Sequence, residues 1–260
     1  MTPLLEARNL DVAIGGLDVC RGLELRLAAG RLLAILGRNG VGKSTLLATL
    51  AGLRPAQGGE LRVEGLPLAE LSPRRLAQLR GYLPQQVHDP FASTVLETAL
   101  IGRHPHLGRW DWESAADRRL AGDALAAVEL AGCEEREVHT LSGGERQRLG
   151  LAMLLVQSPR LYLLDEPLAH LDPHHGLAAL QLLRQRAAAS GCAVAVVLHD
   201  ANLALRCCDE ALLLFGGGEC RLGDVAATLH ADNLTRLYGH PLRALDDAGR
   251  PWFVPATSDH

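Results

Sequence analysis

The stretch Leu32-Leu33-Ala34-Ile35-Leu36-Gly37-Arg38-Asn39-Gly40-Val41-Gly42-Lys43-Ser44-Thr45-Leu46-Leu47 runs from an apolar segment through a glycine-rich turn into a second apolar segment. The first segment has the length and composition of a buried strand and the second opens as a helix, so residues 37–45 read as a G-x-x-x-x-G-K-[ST] phosphate-binding loop. Gly37, Gly40 and Gly42 let the backbone N–H groups of Arg38, Asn39, Val41 and their neighbours turn around phosphate oxygens, and the helix N-terminus adds its dipole. Lys43 reaches the terminal phosphates, and Ser44, followed by Thr45, offers a hydroxyl to Mg²⁺. Of 26 basic residues 25 are arginine (26 − 1), and the single lysine is Lys43. A chain that otherwise uses arginine has a compact ammonium where a planar guanidinium does not fit between phosphates.

Length and composition agree with one large α/β domain: 260 residues, 48% hydrophobic and 22% charged. A net charge of -4 argues against wholesale nucleic-acid binding, so nucleic acid is not an expected partner. The first residues show no basic segment followed by a long apolar core, and runs such as 192–198 are too short to span a bilayer. The expected location is the cytoplasm, with any membrane role supplied by separate subunits. Six cysteines without a C-x-x-C pair read as reduced, buried small residues. The histidine pairs His104/His106 and His174/His175 have no Cys or carboxylate at ligand spacing beside them in sequence, and they read as surface or capping residues.

Working outward, residues 4–36 alternate β-type runs with glycine turns, which predicts a small antiparallel sheet beside a central one. A helix is expected over 43–51, strands over 60–63 and 81–83, and a Ser72-Pro73 helix start. From Pro84 to about Ser158 helical signals dominate, over 94–102, 113–131 and 143–157. The expected division is a single domain, 1–260, with its core in 1–84 and 159–260 and a helical subdomain in 85–158. Strands at 161–164, 192–198 and 211–215 then alternate with helices at 173–189 and 201–207, leaving a tail with one or two short helices and a last strand at 252–254.

Three further stretches carry chemistry. Leu161–Leu164 leads into Asp165-Glu166-Pro167, at the edge where a parallel sheet binds ligands. Asp165 can orient Mg²⁺ and Glu166 can take a proton from the attacking water, although Asp-Glu-Pro is also a common turn. His199 follows the 192–198 strand on the same edge, and a γ-phosphate contact and an ordinary loop histidine are equally open. Gln85, with Gln86 beside it, stands at the junction into the helical segment, where an amide could touch Mg²⁺. Ser142-Gly143-Gly144-Glu145 makes a second anion-binding helix start, which a C₂ dimer explains if it faces the nucleotide of the other protomer.

In this order and spacing the stretches resemble the ATP-binding subunits of ABC transporters over roughly residues 4–230. The resemblance implies a P-loop NTPase fold, ATP and Mg²⁺ as ligands, and Mg²⁺ contacts from Ser44, Gln85 and Asp165. It implies Glu166, His199 and Lys43 as the catalytic group, Gln85 as the Q-loop residue with Gln86 the alternative, and 141–145 as the signature. Ala169-His170-Leu171-Asp172 becomes the D-loop, with Asp172 near the nucleotide. Tyr82-Leu83-Pro84-Gln85, Gly102-Arg103-His104-Pro105-His106 and Leu234-Thr235-Arg236-Leu237-Tyr238-Gly239 are similar to the importer branch that handles cobalamin, haem and ferric siderophores. That branch implies a homodimer of ATP-binding subunits, two membrane-spanning permease subunits, a periplasmic or lipoprotein substrate-binding protein, and a peripheral place on the cytoplasmic face of the inner membrane. An ATPase for another transported substrate, or a non-transport ABC ATPase, is the alternative. Two departures stand out: Ile14 occupies the position of an adenine-stacking aromatic, and His170 that of a smaller residue. Residues 88–112, with Arg103, Arg109, Trp110 and Trp112, are expected to dock on the membrane partner.

Overall fold

The computed structural model describes residues 2–85, 92–108, 110–247 and 249–256. Strand β1 (Leu5–Ile14) turns through Gly15 and Gly16, both at positive φ, into β2 (Leu17–Leu27). Then come β3 (Leu32–Gly37), α1 (Lys43–Leu50), β4 (Gly58–Val63), β5 (Leu66–Pro67), α2 (Pro73–Leu79) and β6 (Arg80–Leu83). Helices α3 (Val95–Leu100), α4 (Ala115–Ala127) and α5 (Gly143–Gln157) follow, so every named element between β6 and the next strand is helical. The chain continues through β7 (Leu161–Leu164), α6 (Pro173–Ser190), β8 (Ala193–Val197), α7 (Ala201–Cys207), β9 (Glu210–Gly216) and β10 (Glu219–Asp224). It ends with α8 (Val225–Thr228), α9 (Ala231–Tyr238), β11 (Leu242–Asp247) and β12 (Arg250–Pro255).

The central sheet has the order β10-β9-β3-β8-β7-β6, parallel except for the antiparallel edge strand β10. Alternate residues of its strands enter two separate cores. Leu32, Ala34 and Leu36 of β3, with Tyr162 and Leu164 of β7, pack under α5 and α6. Leu33 and Ile35, with Leu161 and Leu163, pack against α1 and the four-stranded antiparallel sheet β2-β1-β4-β5. Burial on both faces is why these strands read as unbroken apolar runs, and each fully buried leucine contributes about 1.5–3 kcal/mol.

Local chemistry sets the helix starts. Ser72 caps α2 with Pro73 at its first position, and Thr94, Ser114 and Ser142 each form a reciprocal capping box, with Glu97, Asp117 and Glu145. Several boundaries differ from the sequence expectation. The helix expected over 94–102 ends at Leu100 and tightens into a 3₁₀ segment, Ile101–His106, that contains Pro105. Helix α4 stops at Ala127, and Glu129 just beyond it has φ 59. β6 is an edge strand, and Tyr82 on it is only half-buried. Strand β11 has no sequence signal, because five of its six residues are exposed and lack alternation. Cys133 and Cys220 are half-buried, while the other four cysteines are buried and all six are free thiols. Among the described residues no helix is long and apolar enough to cross a membrane.

Candidate functional site

Strands β3, β7 and β8 lie side by side and end at one edge, and this delivers their three chemical loops to a common cleft. The cleft has a volume of about 390 Å³ and is lined by Ile14, Asn39, Gly40, Gly42, Lys43, Ser44, Thr45, Gln85, Glu166 and His199. A larger cavity, about 750 Å³, lies between α7 and the β11–β12 hairpin and shares no residue with it.

The 37–45 turn is held by close approach. Gly42 sits at φ 102, and a Cβ there would come within 2.4 Å of a Val19 methyl, so both conformation and space require glycine. Lys43 is 5% exposed, and its ammonium donates to the carbonyls of Gly37 at 3.0 Å and Arg38 at 3.2 Å. Burial lowers its pKa from the ordinary lysine value, and the charges of Glu166 and Asp165 oppose that shift.

Asp165 is 2% exposed, and its backbone N–H bonds to Leu83 at 2.8 Å, tying the end of β7 to β6. Burial raises its pKa, and a hydrogen bond with the Ser44 side chain works the other way. Its Oδ1 is buried without a hydrogen-bond partner, a donor atom suited to a hard cation or its water shell. Glu166 has a left-handed backbone, φ 49, a strained conformation for glutamate that aims its carboxylate at the cleft. One carboxylate oxygen lies 2.7 Å from His199 Nε2, and the other accepts from Gln85 Nε2 at 2.8 Å. Two contacts steady this pair that the sequence does not single out: Gln147 Nε2 donates to the Glu166 carbonyl at 3.4 Å, and the Tyr238 hydroxyl to the His199 carbonyl at 3.1 Å.

The remaining expected site residues do not line the cleft of this protomer. Ser142 caps α5 and exchanges hydrogen bonds with Glu145, whose second oxygen lies 2.8 Å from Arg136. The Ser142 backbone bond, then Arg136, hold the Glu145 carboxyl down to about 2. Gly144 also has a local reason: a Cβ there would meet the His170 carbonyl at 3.0 Å, while His170 itself sits at φ 65. Asp172 accepts from the His175 N–H at 2.9 Å as the cap of α6 and pairs with the His175 ring at 2.8 Å.

Arg103, one of the residues expected at the docking surface, is engaged within the chain. Its Nε lies 2.7 Å from Asp117 and its side chain is only 20% exposed, so it braces the 3₁₀ segment against α4. Trp112 is 87% exposed. Residues 86–91 and Arg109 lie outside the described residues, Gln86 among them.

Residues 20–169, more than half of the chain, match the family described as ABC transporter. A hemin import ATP-binding protein of Burkholderia pseudomallei is 38% identical, across 97% of this chain and 100% of its own length. Among solved structures, a metal-chelate type ABC transporter in an inward-facing conformation has a TM-score of 0.84 at 29% identity, covering 98% of both chains. A dimeric ATP-binding cassette in a post-hydrolysis state with ADP and phosphate has a TM-score of 0.74 at 26% identity, covering 85% of this chain and 98% of its own. With its phosphate loop, acidic strand end and histidine gathered in one cleft, and matched over this length, the chain belongs to the ABC transporter family as an ATP-binding and ATP-hydrolysing component.

Proposed function

We propose that the chain is the ATPase subunit of an importer that takes up haem or a related metal chelate. The observation that carries this reading is the likeness, over nearly the whole of both chains, to a hemin import ATP-binding protein, supported by the metal-chelate type structural neighbour.

In this reading the 37–45 backbone wraps the ATP phosphates and Lys43 bridges the outer ones, where positioning and charge neutralisation do most of the work of phosphoryl transfer. Ser44 and Asp165 would hold Mg²⁺, with Gln85 a further residue that could contact it; the unpartnered Oδ1 of Asp165 and the neighbouring Ser44 hydroxyl fit such an ion. When bound, Mg²⁺ neutralises phosphate charge. Glu166 accepts a proton from the water whose oxygen attacks the γ-phosphorus, and the bond to the bridging oxygen breaks to release ADP. His199, paired with Glu166, orients that carboxylate and the water. Ser142–Glu145 and Asp172, absent from their own cleft, face the nucleotide of a second copy, and the dimeric neighbour supports a two-site assembly.

The dimer drives two membrane-spanning permease subunits from the cytoplasmic face of the inner membrane, and a substrate-binding protein delivers the chelate. Trp110 and Trp112, on the 3₁₀-to-α4 connection, belong to the permease contact. The test is reconstitution of the chain with its permease pair in liposomes, measuring ATPase with substrate-binding protein that is empty, haem-loaded or loaded with other chelates. Stimulation by the haem-loaded form is expected. Stimulation by a different cargo alone overturns the haem assignment.

A further inference from the structure

Helix α4 ends at Ala127, and two residues later Glu129 projects toward the first turn of α6, where His174 and His175 follow the Asp172-Pro173 start. One ligand atom from each of Glu129, His174 and His175 can be chosen so that all lie within 4.8 Å of one another. The closest measured pair, His175 Nε2 and Glu129 Oε2, is 3.5 Å apart. That is about the edge, roughly 3.4 Å, of a tetrahedron with ligands 2.0–2.1 Å from a central zinc ion. We propose that Glu129, His174 and His175 form a binding site for a zinc-like divalent metal ion that ties the end of α4 to the first turn of α6.

The donor set supports this reading over a simple ion pair. An ionised Asp172 can only accept, so its 2.8 Å contact makes His175 Nδ1 the donor and turns the other ring nitrogen, Nε2, toward Glu129. A carboxylate behind the distal ring nitrogen is how protein sites orient a metal-bound imidazole. His174 makes an edge-on contact with His175, ring centroids 5.3 Å apart, which brings a second imidazole to the same place, one that a Glu129–His175 pair alone has no use for. Glu129 is held from behind: Arg148 donates to the carbonyls of Val128 at 3.0 Å and Glu129 at 2.9 Å. Glu129 and His174 are exposed and His175 half-buried, so water can complete the four-coordinate shell.

The ligands come from two elements 45 residues apart in sequence (174 − 129), so the metal acts as a cross-link. It adjoins the segment in which the His170 carbonyl crowds Gly144 at the start of α5.

The experiment is titration of the metal-stripped, nucleotide-free full-length protein with Co²⁺, read by visible absorption, and with Zn²⁺, read by calorimetry and thermal unfolding. One equivalent is expected, with the intense visible bands of tetrahedral Co²⁺ and a melting temperature that rises with Zn²⁺ concentration. His174→Ala and Glu129→Gln, both at exposed positions, should each weaken binding tenfold or more, and Asp172→Asn, which can still cap α6, about 10–100-fold. Absence of stoichiometric binding overturns the proposal. So does binding that withstands both ligand substitutions, and in that case its loss in Asp165→Asn assigns the ion to the nucleotide cleft.

Discussion

His199 and Glu166 meet at 2.7 Å, Nε2 to Oε1, at the ends of the neighbouring parallel strands β8 and β7. Gln85 donates to the other carboxylate oxygen, so side chains hold both oxygens in place, and each keeps a lone pair able to accept a proton from water. Glu166→Gln removes the base and keeps the shape. Its expected outcome is a fall in ATPase of about 10²–10⁴-fold with ATP binding retained. Light scattering in the presence of ATP should show dimer accumulating. A variant with full nucleotide occupancy that stays monomeric counts against the shared-site assembly.

Lys43→Arg keeps the charge but replaces a point-like ammonium, buried within reach of two loop carbonyls, with a wider planar group. Steady-state ATPase should fall by roughly 100-fold or more, the cost of losing one well-placed charge donor. Retention of most of the activity would remove the role assigned to this lysine.

The Arg103–Asp117 pair is expected to matter for folding. Arg103→Glu breaks a partly buried ion pair and sets like charges together, which should cost about 2–4 kcal/mol in urea unfolding. Acid should act on the same place. Hydrogen bonds from Ser114, then Arg103, hold the Asp117 carboxyl down to about 2, against about 3.9 in an unfolded chain. A carboxyl whose pKa is depressed by folding stabilises above its unfolded value, and that contribution is lost as pH falls from about 4 toward 2. Unfolding curves across this window should show a steeper loss for the wild type than for Asp117→Asn.

Ile14 ends β1 and lines the cleft with the phosphate loop, so its side chain is placed to cover a nucleotide base without an aromatic face. Ile14→Tyr should tighten ATP about 2–10-fold by stacking, with kcat unchanged because the contact is equal in ground and transition states. Nucleotide titration of both proteins checks this. Equal affinities would mean that Ile14 does not touch the base.

The features legible in the sequence are those whose cause is local. The phosphate loop, the strand-end carboxylates and the helix caps depend on residues a few positions apart: Gly15-Gly16 acts through backbone geometry, and Ser72-Pro73 through a side-chain cap and a fixed φ. The unbroken apolar runs of β3, β7 and β8 announce a sheet buried on both faces, since no half-exposed strand tolerates them. Strand β11 escaped because exposed residues paired only with a neighbouring hairpin strand carry no burial pattern.

Tertiary structure alone decided which chemical groups meet. Gln85 bonds Glu166 from 81 positions away, Arg103 turns inward to Asp117, and Glu129 closes on His174 and His175 from a different element. Loop closure costs entropy that packing elsewhere must offset, so such encounters are set by how helices and sheets stack rather than by the residues that meet. The amino-acid sequence by itself determined the nucleotide-binding fold and the chemistry at its strand ends, because backbone geometry and apolar periodicity act over short distances. The partners of each side chain were decided by the folded packing, because a contact between distant segments exists only once the chain has closed around it.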